Sequence, residues 1–519
     1  MSLRFGLALL WTMAIWFPVP ALADDASVCG SNALPADATL AACTNLIASG
    51  KISGKGLAVV FGNRGAVYES KGDHDRAIAD FGEAIRLDPN NAAAFINRGV
   101  TFRAKGDHDR SIADFGEAIR INPSNPAAFI NRGVAFEAKG DHDRAIADYS
   151  EAIRLNPSDA IAFENRGIAY KAKNDLDHAV ADYSEAIRLK PNYAIALKNR
   201  AIAYKAKGDL DRAIADYGEA IRLNPNDPFA LKNRGVAYKA KGDLDRAIAD
   251  YSETIRLDPK DVIAFENRGV AYKAKGDLDR AIADYNEALR LDPRATVAFD
   301  NRGLAYKAKG DLDRAVADFS EAIRLDPKDA VAFDNRGAAY EAKGDYDHAI
   351  ADFSDAIRLN PNYATAFIGR GIAYAAGGDH DRAISDYSEA IRLDPKEAIA
   401  FDNRGVAYEA KGDHDHAIAD FNDAIRLNPN NAVAFISRGV AYAANGDHDR
   451  AIADYNEAIR LNPNDGDAFL NRGVAYKAKG DIDRSASDFL EAKRLNPKDR
   501  ASGVPRAQTH KMVGVTGGL

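Results

Sequence analysis

Nine histidines fall at two recurring spots in the chain. His74, His108, His142, His380, His414 and His448 each follow an aspartate, and His178, His348 and His416 occupy a spot two residues further along equivalent segments. Imidazole beside carboxylate is a donor set for zinc or another divalent cation, and Asp413, His414 and His416 form the richest such group. The competing reading, solvated residues of a tight turn, is favoured, because the grouping returns wherever the turn does. An active site would occur once. Other chemistries fail on spacing: Gly50-Lys51-Ile52-Ser53-Gly54-Lys55-Gly56 lacks the register and hydroxyl of a phosphate-binding loop, and no Gly-x-Ser-x-Gly elbow or His-Glu-x-x-His pair occurs. Carboxylates such as Asp75 and Asp80 recur throughout the chain, so none marks a catalytic pair. No catalytic residue, metal or cofactor is assigned, and a non-enzymatic protein is expected.

Cys29 and Cys43 are the two cysteines, which excludes a disulfide-dense scaffold and a four-thiolate zinc site. Residues 1–23 read as a secretory signal peptide: Arg4, an apolar stretch from Phe5 to Phe17, then Ala21-Leu22-Ala23. The stretch has 13 residues, short of the roughly 20 that a spanning helix needs. Export to the periplasm or beyond is therefore expected, with no membrane insertion after cleavage. An oxidising destination favours pairing Cys29 with Cys43, with two free thiols as the alternative. Losing Arg4 would take the formal charge from −8 to −9. The 69 basic and 77 acidic residues are interleaved, so no basic face is set aside for nucleic acid.

The elements that carry these residues follow a fixed period. Proline recurs every 34 residues from Pro89 to Pro497, which defines thirteen units. With this proline as position 32, the first unit starts at Ala58 and the last at Gly466. Positions 1–14 and 17–30 read as amphipathic helices. Position 15 is Gly in every unit except for Asn174, where the chain must turn through a left-handed conformation. Asp at position 16 is placed to cap the second helix. Positions 8, 20 and 27 are small and positions 4, 11 and 24 large, so two helices can approach and interdigitate. Of 22 Phe and 21 Tyr, 37 fall at positions 4, 11 and 24, which makes them packing residues rather than a stacking platform for bases or sugars.

Gly65, Tyr68, Ala77, Phe81, Ala84 and Pro89, repeated in register, resemble the tetratricopeptide repeat (TPR). The resemblance covers residues 58–497 and departs from the family at position 7, where Arg64 through Arg472 replace the usual Leu. It implies an all-α fold, a TPR α-solenoid in which antiparallel helix pairs stack into a right-handed superhelix. Residues 24–57 form an N-terminal segment whose Asp37 to Gly50 stretch mimics a lone second helix and would cap the array. Lys493 and Ala486 replace apolar residues on the last helix, which reads as a finished end, and 498–519 reads as a disordered basic tail. Arg at 7 and Asp at 23 recur together, from Arg64 with Asp80 onward, and are read as an ion pair joining the two helices.

The resemblance also implies that positions 2, 5, 6, 9 and 12 line a concave groove. Position 6 holds Asn63, Asn97, Asn131, Asn165, Asn199, Asn233, Asn267, Asn301, Asn335, Asn403 and Asn471, broken by Gly369 and Ser437. A side-chain amide both donates and accepts, so it can hold a peptide backbone whatever its side chains. The ladder resembles the asparagine track of the O-linked GlcNAc transferase TPR domain. Hydrogen bonding between neighbouring units is the equal alternative. Lys198, Lys205, Lys232 and Lys239 surround Phe229, a spare aromatic at position 2, and this patch suits an acidic, aromatic peptide. The carboxylate clamp of chaperone-binding TPRs is excluded, since no unit has Asn at 9 or a base at 6. The leading expectation is a scaffold or adaptor of the cell envelope that holds an extended protein segment. An accessory of envelope polysaccharide synthesis or export, or an architectural spacer without a ligand, are the alternatives.

Overall fold

A computed structural model describes residues 23–30 and 35–495. The expected leader, apart from Ala23, and the expected tail at 498–519 lie outside the described residues. Every described element is a helix. Two short ones come first, α1 (Ala23–Cys29) and α2 (Ala36–Ala48). Helix pairs follow, from α3 (Gly54–Ser70) with α4 (His74–Leu87) to α27 (Gly466–Ala478) with α28 (Ile482–Leu495). The described residues divide into two compact units, unit 1 up to Asp258 and unit 2 from Pro259. Within each, the fold is a TPR α-solenoid.

Local chemistry sets each pair. The glycine at position 15 takes φ between 76° and 82° in every repeat that has it, and Asn174 takes 61°. Only residues tolerant of left-handed backbone fit there. The aspartate that follows accepts the backbone N–H three residues on, as from Arg76 at 3.3 Å and Arg110 at 3.1 Å. Most first helices end at position 13, one residue short of the sequence expectation, because the residue at 14 serves as the C-cap. Helix α3 starts at Gly54, before the first repeat.

Packing follows from small residues set against large ones. A Cβ on Gly133 would stand 2.6 Å from the Tyr149 ring, so position 8 must be small for the position-24 ring to lie against the first helix. Ala201 is the one larger residue at this position, and it is fully buried. Alanines at 20 and 27, such as Ala145 and Ala152, are likewise sealed. Arg at position 7 grips Asp at position 23 with two nitrogens; Arg132 reaches Asp148 at 2.8 Å twice. Where position 25 of the preceding repeat is Ser or Asn, a third nitrogen reaches back to it, as from Arg166 to Ser150 at 3.0 Å. The ion pair therefore links helices within a repeat and repeats to each other.

At the N-terminus, Cys29 and Cys43 form a disulfide between α1 and α2. They pack with Ala42 and Val60, which places α2 over the open end of α3. At the other end Lys493 and Ala486 are exposed, and so are Ile482 and Leu490, so the outer face of α28 mixes polar and apolar side chains.

Candidate inner-face binding site

Within each unit the first helix of a repeat touches its own partner and, in most repeats, the first helix of the next as well. Second helices do not pack comparably on their successors. The stack therefore closes up on the side of the first helices, the side to which the family resemblance assigns positions 5, 9 and 12.

In unit 1 this face is a polar network. Glu164, 2% exposed, accepts hydrogen bonds from the Tyr193 hydroxyl and from Asn199 Nδ2 at 3.3 Å. Burial pushes its carboxyl above the usual range. Lys198 is neutralised by Asp227 at 2.7 Å and lies 5.6 Å from the centre of the Phe229 ring, which is 42% exposed. Lys205 reaches Asn233 Oδ1 at 3.5 Å, and Arg103 reaches Asn131 Oδ1 at 2.9 Å. Lys232 and Lys239 are half-buried two turns apart on helix Pro228–Ala240. Of the patch expected around Phe229, Lys198 is thus an internal ion-pair partner rather than a free cation.

The asparagines fall into two groups. The amides of Asn131 and Asn233 donate to carbonyls one turn back, Ala127 at 2.9 Å and Phe229 at 2.9 Å, while accepting from a position-12 cation of the preceding repeat. In unit 2, Asn301 does the same with Val297 at 3.0 Å and Lys273 at 3.0 Å. These three join neighbouring repeats. Asn97, Asn165, Asn267 and Asn335 are half-buried on the same side, whereas Asn63 and Asn403 are 1% exposed. Gly369 breaks the ladder because a Cβ there would stand 2.5 Å from the Phe353 ring.

Unit 2 carries carboxyls at position 5. Burial, aided by Asp329, pushes Asp300 up to about 7. Asp334, which accepts from the Tyr363 hydroxyl at 3.3 Å, is pushed by burial to about 6, as is Asp402. The repeat register alone does not single out these acids, since position 5 changes from repeat to repeat. Their variability among otherwise uniform repeats was the available signal.

Six of the histidines are held by carboxylates of their own repeats, while Nδ1 of His108, His380 and His448 has no partner among the described residues. His414 Nδ1 is 2.7 Å from Glu409, and His416 Nδ1 is 2.8 Å from Asp413 while its ring stacks on Tyr408. Among the described residues no group of His, Cys, Asp and Glu is arranged to hold a metal ion. Nor is any described helix long and apolar enough to cross a membrane.

A sequence profile of the tetratricopeptide repeat matches residues 63–126, 101–160, 130–194, 232–296 and 368–432. The chain belongs to the tetratricopeptide repeat family. Further TPR profiles match 202–242, 303–344 and 439–480, then 332–363, 421–453 and 466–499. Comparison with curated proteins found no match. Among solved structures, the TPR array is similar to the APC/C hetero-tetramer Cut9–Hcn1 (15% identity, 88% of this chain and 96% of that one, TM-score 0.40). It is also similar to yeast Tom70 (19%, 85% and 99%, 0.38) and to a tetratricopeptide repeat protein of Parabacteroides merdae (21%, 50% and 98%, 0.39). The assignment rests on the repeat profiles. As a TPR array the chain is a protein–protein interaction scaffold.

Proposed function

We propose that the protein is an exported adaptor that binds an extended polypeptide segment along the inner faces of its repeats. The observation that carries this reading is the inner face of unit 1. Apolar position-9 residues, Val134 and Ile168, alternate there with half-buried polar side chains on the same helix face. A strip of this kind offers anchors for apolar side chains and hydrogen bonds for a backbone. The leader-like residues 1–23 support placing the adaptor in the cell envelope.

The test is selection from a library of short random peptides against the full chain without its leader, read by fluorescence anisotropy. Val134→Gln together with Ile168→Gln should weaken the selected peptides while the circular dichroism stays helical. Unchanged affinity in that variant, or a library that yields no binder, would remove the inner face as the site.

A further inference from the structure

Charge pairing in the described part of unit 1 is extensive: the exposed Lys51 and Lys190 stand without an ion pair, and three half-buried cations without one share a single repeat position. Among the described residues every arginine of the unit except Arg103 sits in an ion pair. Arg98 pairs with Asp114, Arg144 with Asp141 and Arg154 with Glu151, and the pattern continues to Arg256 with Glu253. Lysines at position 14 are neutralised across repeats, as Lys105 is by Asp75 and Lys173 by Asp143. At position 12 the cations differ. Arg103 has only the amide of Asn131, Lys205 only a long contact to Asn233, and Lys171 feels Glu164 from beyond ion-pair distance.

The reason lies five residues on. Where position 12 is Glu, position 17 supplies a histidine: Glu69 pairs with His74 at 3.0 Å and Glu137 with His142 at 2.8 Å. Where position 12 is Lys171 or Lys205, position 17 is Leu176 or Leu210, which offers no charge, and where it is Arg103, position 17 is His108, which cannot act as an anion. Burial lowers the affinity of Arg103, Lys171 and Lys205 for their protons, as expected of cations held out of water without a counter-ion. The neighbouring acids are occupied, Glu137 by His142 and Glu164 by Tyr193 and Asn199.

The structure assigns this row, Arg103, Lys171 and Lys205, as the docking line for an acidic polypeptide segment whose carboxylates supply the missing counter-ions. The inference rests on the inner-face reading and adds the chemistry of the partner. A polypeptide fits better than another polyanion. Position 9 on the same helix face is the half-buried Ile168 or Ile202, so the occupant alternates carboxylates with apolar side chains. Phe229, exposed beside the row, provides a contact for a further apolar side chain.

The experiment uses the full chain without its leader and a labelled peptide alternating Glu or Asp with Leu and Ser. A control peptide carries Gln and Asn instead. The acidic peptide should bind, weaken as salt is raised, and lose at least about tenfold in affinity in Arg103→Gln/Lys171→Gln/Lys205→Gln, the lower end of what truncating close charge pairs costs. Circular dichroism should be unchanged. Equal binding to that variant, or equal binding of the control peptide, overturns the inference. Inorganic polyphosphate or single-stranded DNA displacing the peptide at equal charge would overturn its polypeptide class. If the random library yields binders without acidic bias, this inference fails and the inner-face reading stands. If it yields none, both fail.

Discussion

Asp402 holds a position that the repeats on either side give to isoleucine. Ile368 and Ile436 are 0% and 2% exposed; Asp402 is 5% exposed, with Oδ1 unpartnered. Burial raises its carboxyl to about 6, against about 3.9 in an unfolded chain. The sign follows from proton counting. Below the unfolded value both states are protonated and the side chain carries no charge penalty. Between the two values the unfolded chain ionises while the folded one keeps its proton, so stability falls as pH rises. Above the folded value the loss is complete, about 3 kcal/mol for a shift of this size. Asp402→Ile should therefore raise Tm more at pH 8 than at pH 4, since the apolar gain is present at both and the ionisation cost only at the higher. A Tm advantage equal at the two pH values would show that ionisation is not what the site costs.

The pairing of helices turns on the arginine that replaces the usual leucine of the family at position 7. Arg336 holds Asp352 at 2.8 Å through two nitrogens, and a third reaches Ser320 of the preceding repeat at 3.0 Å. Asp352 is 5% exposed, so removing it strands a guanidinium that has little water to turn to. Asp352→Ala should cost about 3 kcal/mol in urea unfolding, whereas Arg336→Leu with Asp352→Leu should recover most of that, because a well-packed apolar pair often replaces a buried ion pair without loss. A double variant as unstable as the single one would mean that the pair has no apolar equivalent here. This link was legible from the joint recurrence of Arg and Asp, as the turns were from Gly and Asp at positions 15 and 16. The inner-face partners were not. Asn131 meets Arg103, and Lys198 meets Asp227, across 28 and 29 residues. Those contacts depend on how one pair of helices settles on the next, which a list of residue types in register does not specify. Helix α1 was missed because seven residues are too few to show a period.

At the scale of the stack, each repeat is held by its neighbours, so a disturbance at one end should remain there. The N-terminal end is closed by α2, and α2 is fixed to α1 by the disulfide, with Cys29 and Cys43 both fully buried beside Val60. Further ties to α2 are the exposed Lys71–Asp37 pair and a long contact from Arg64 to Thr44 at 3.4 Å. Exposed pairs contribute little, so the cross-link carries much of the cap. Closing a loop with a sequence separation of 14 stabilises by about 3 kcal/mol in the chain-entropy model. Reduction should then raise amide hydrogen exchange in α1, α2 and the first turns of α3. Helices from Ala160 to Leu257, several repeats away in the same unit, should keep their protection. Cys29→Ser with Cys43→Ser should reproduce the pattern without reductant. Exchange that rises evenly along the unit would mean that the repeats unfold as one cooperative body, and exchange that does not change would mean that α2 is held by packing alone.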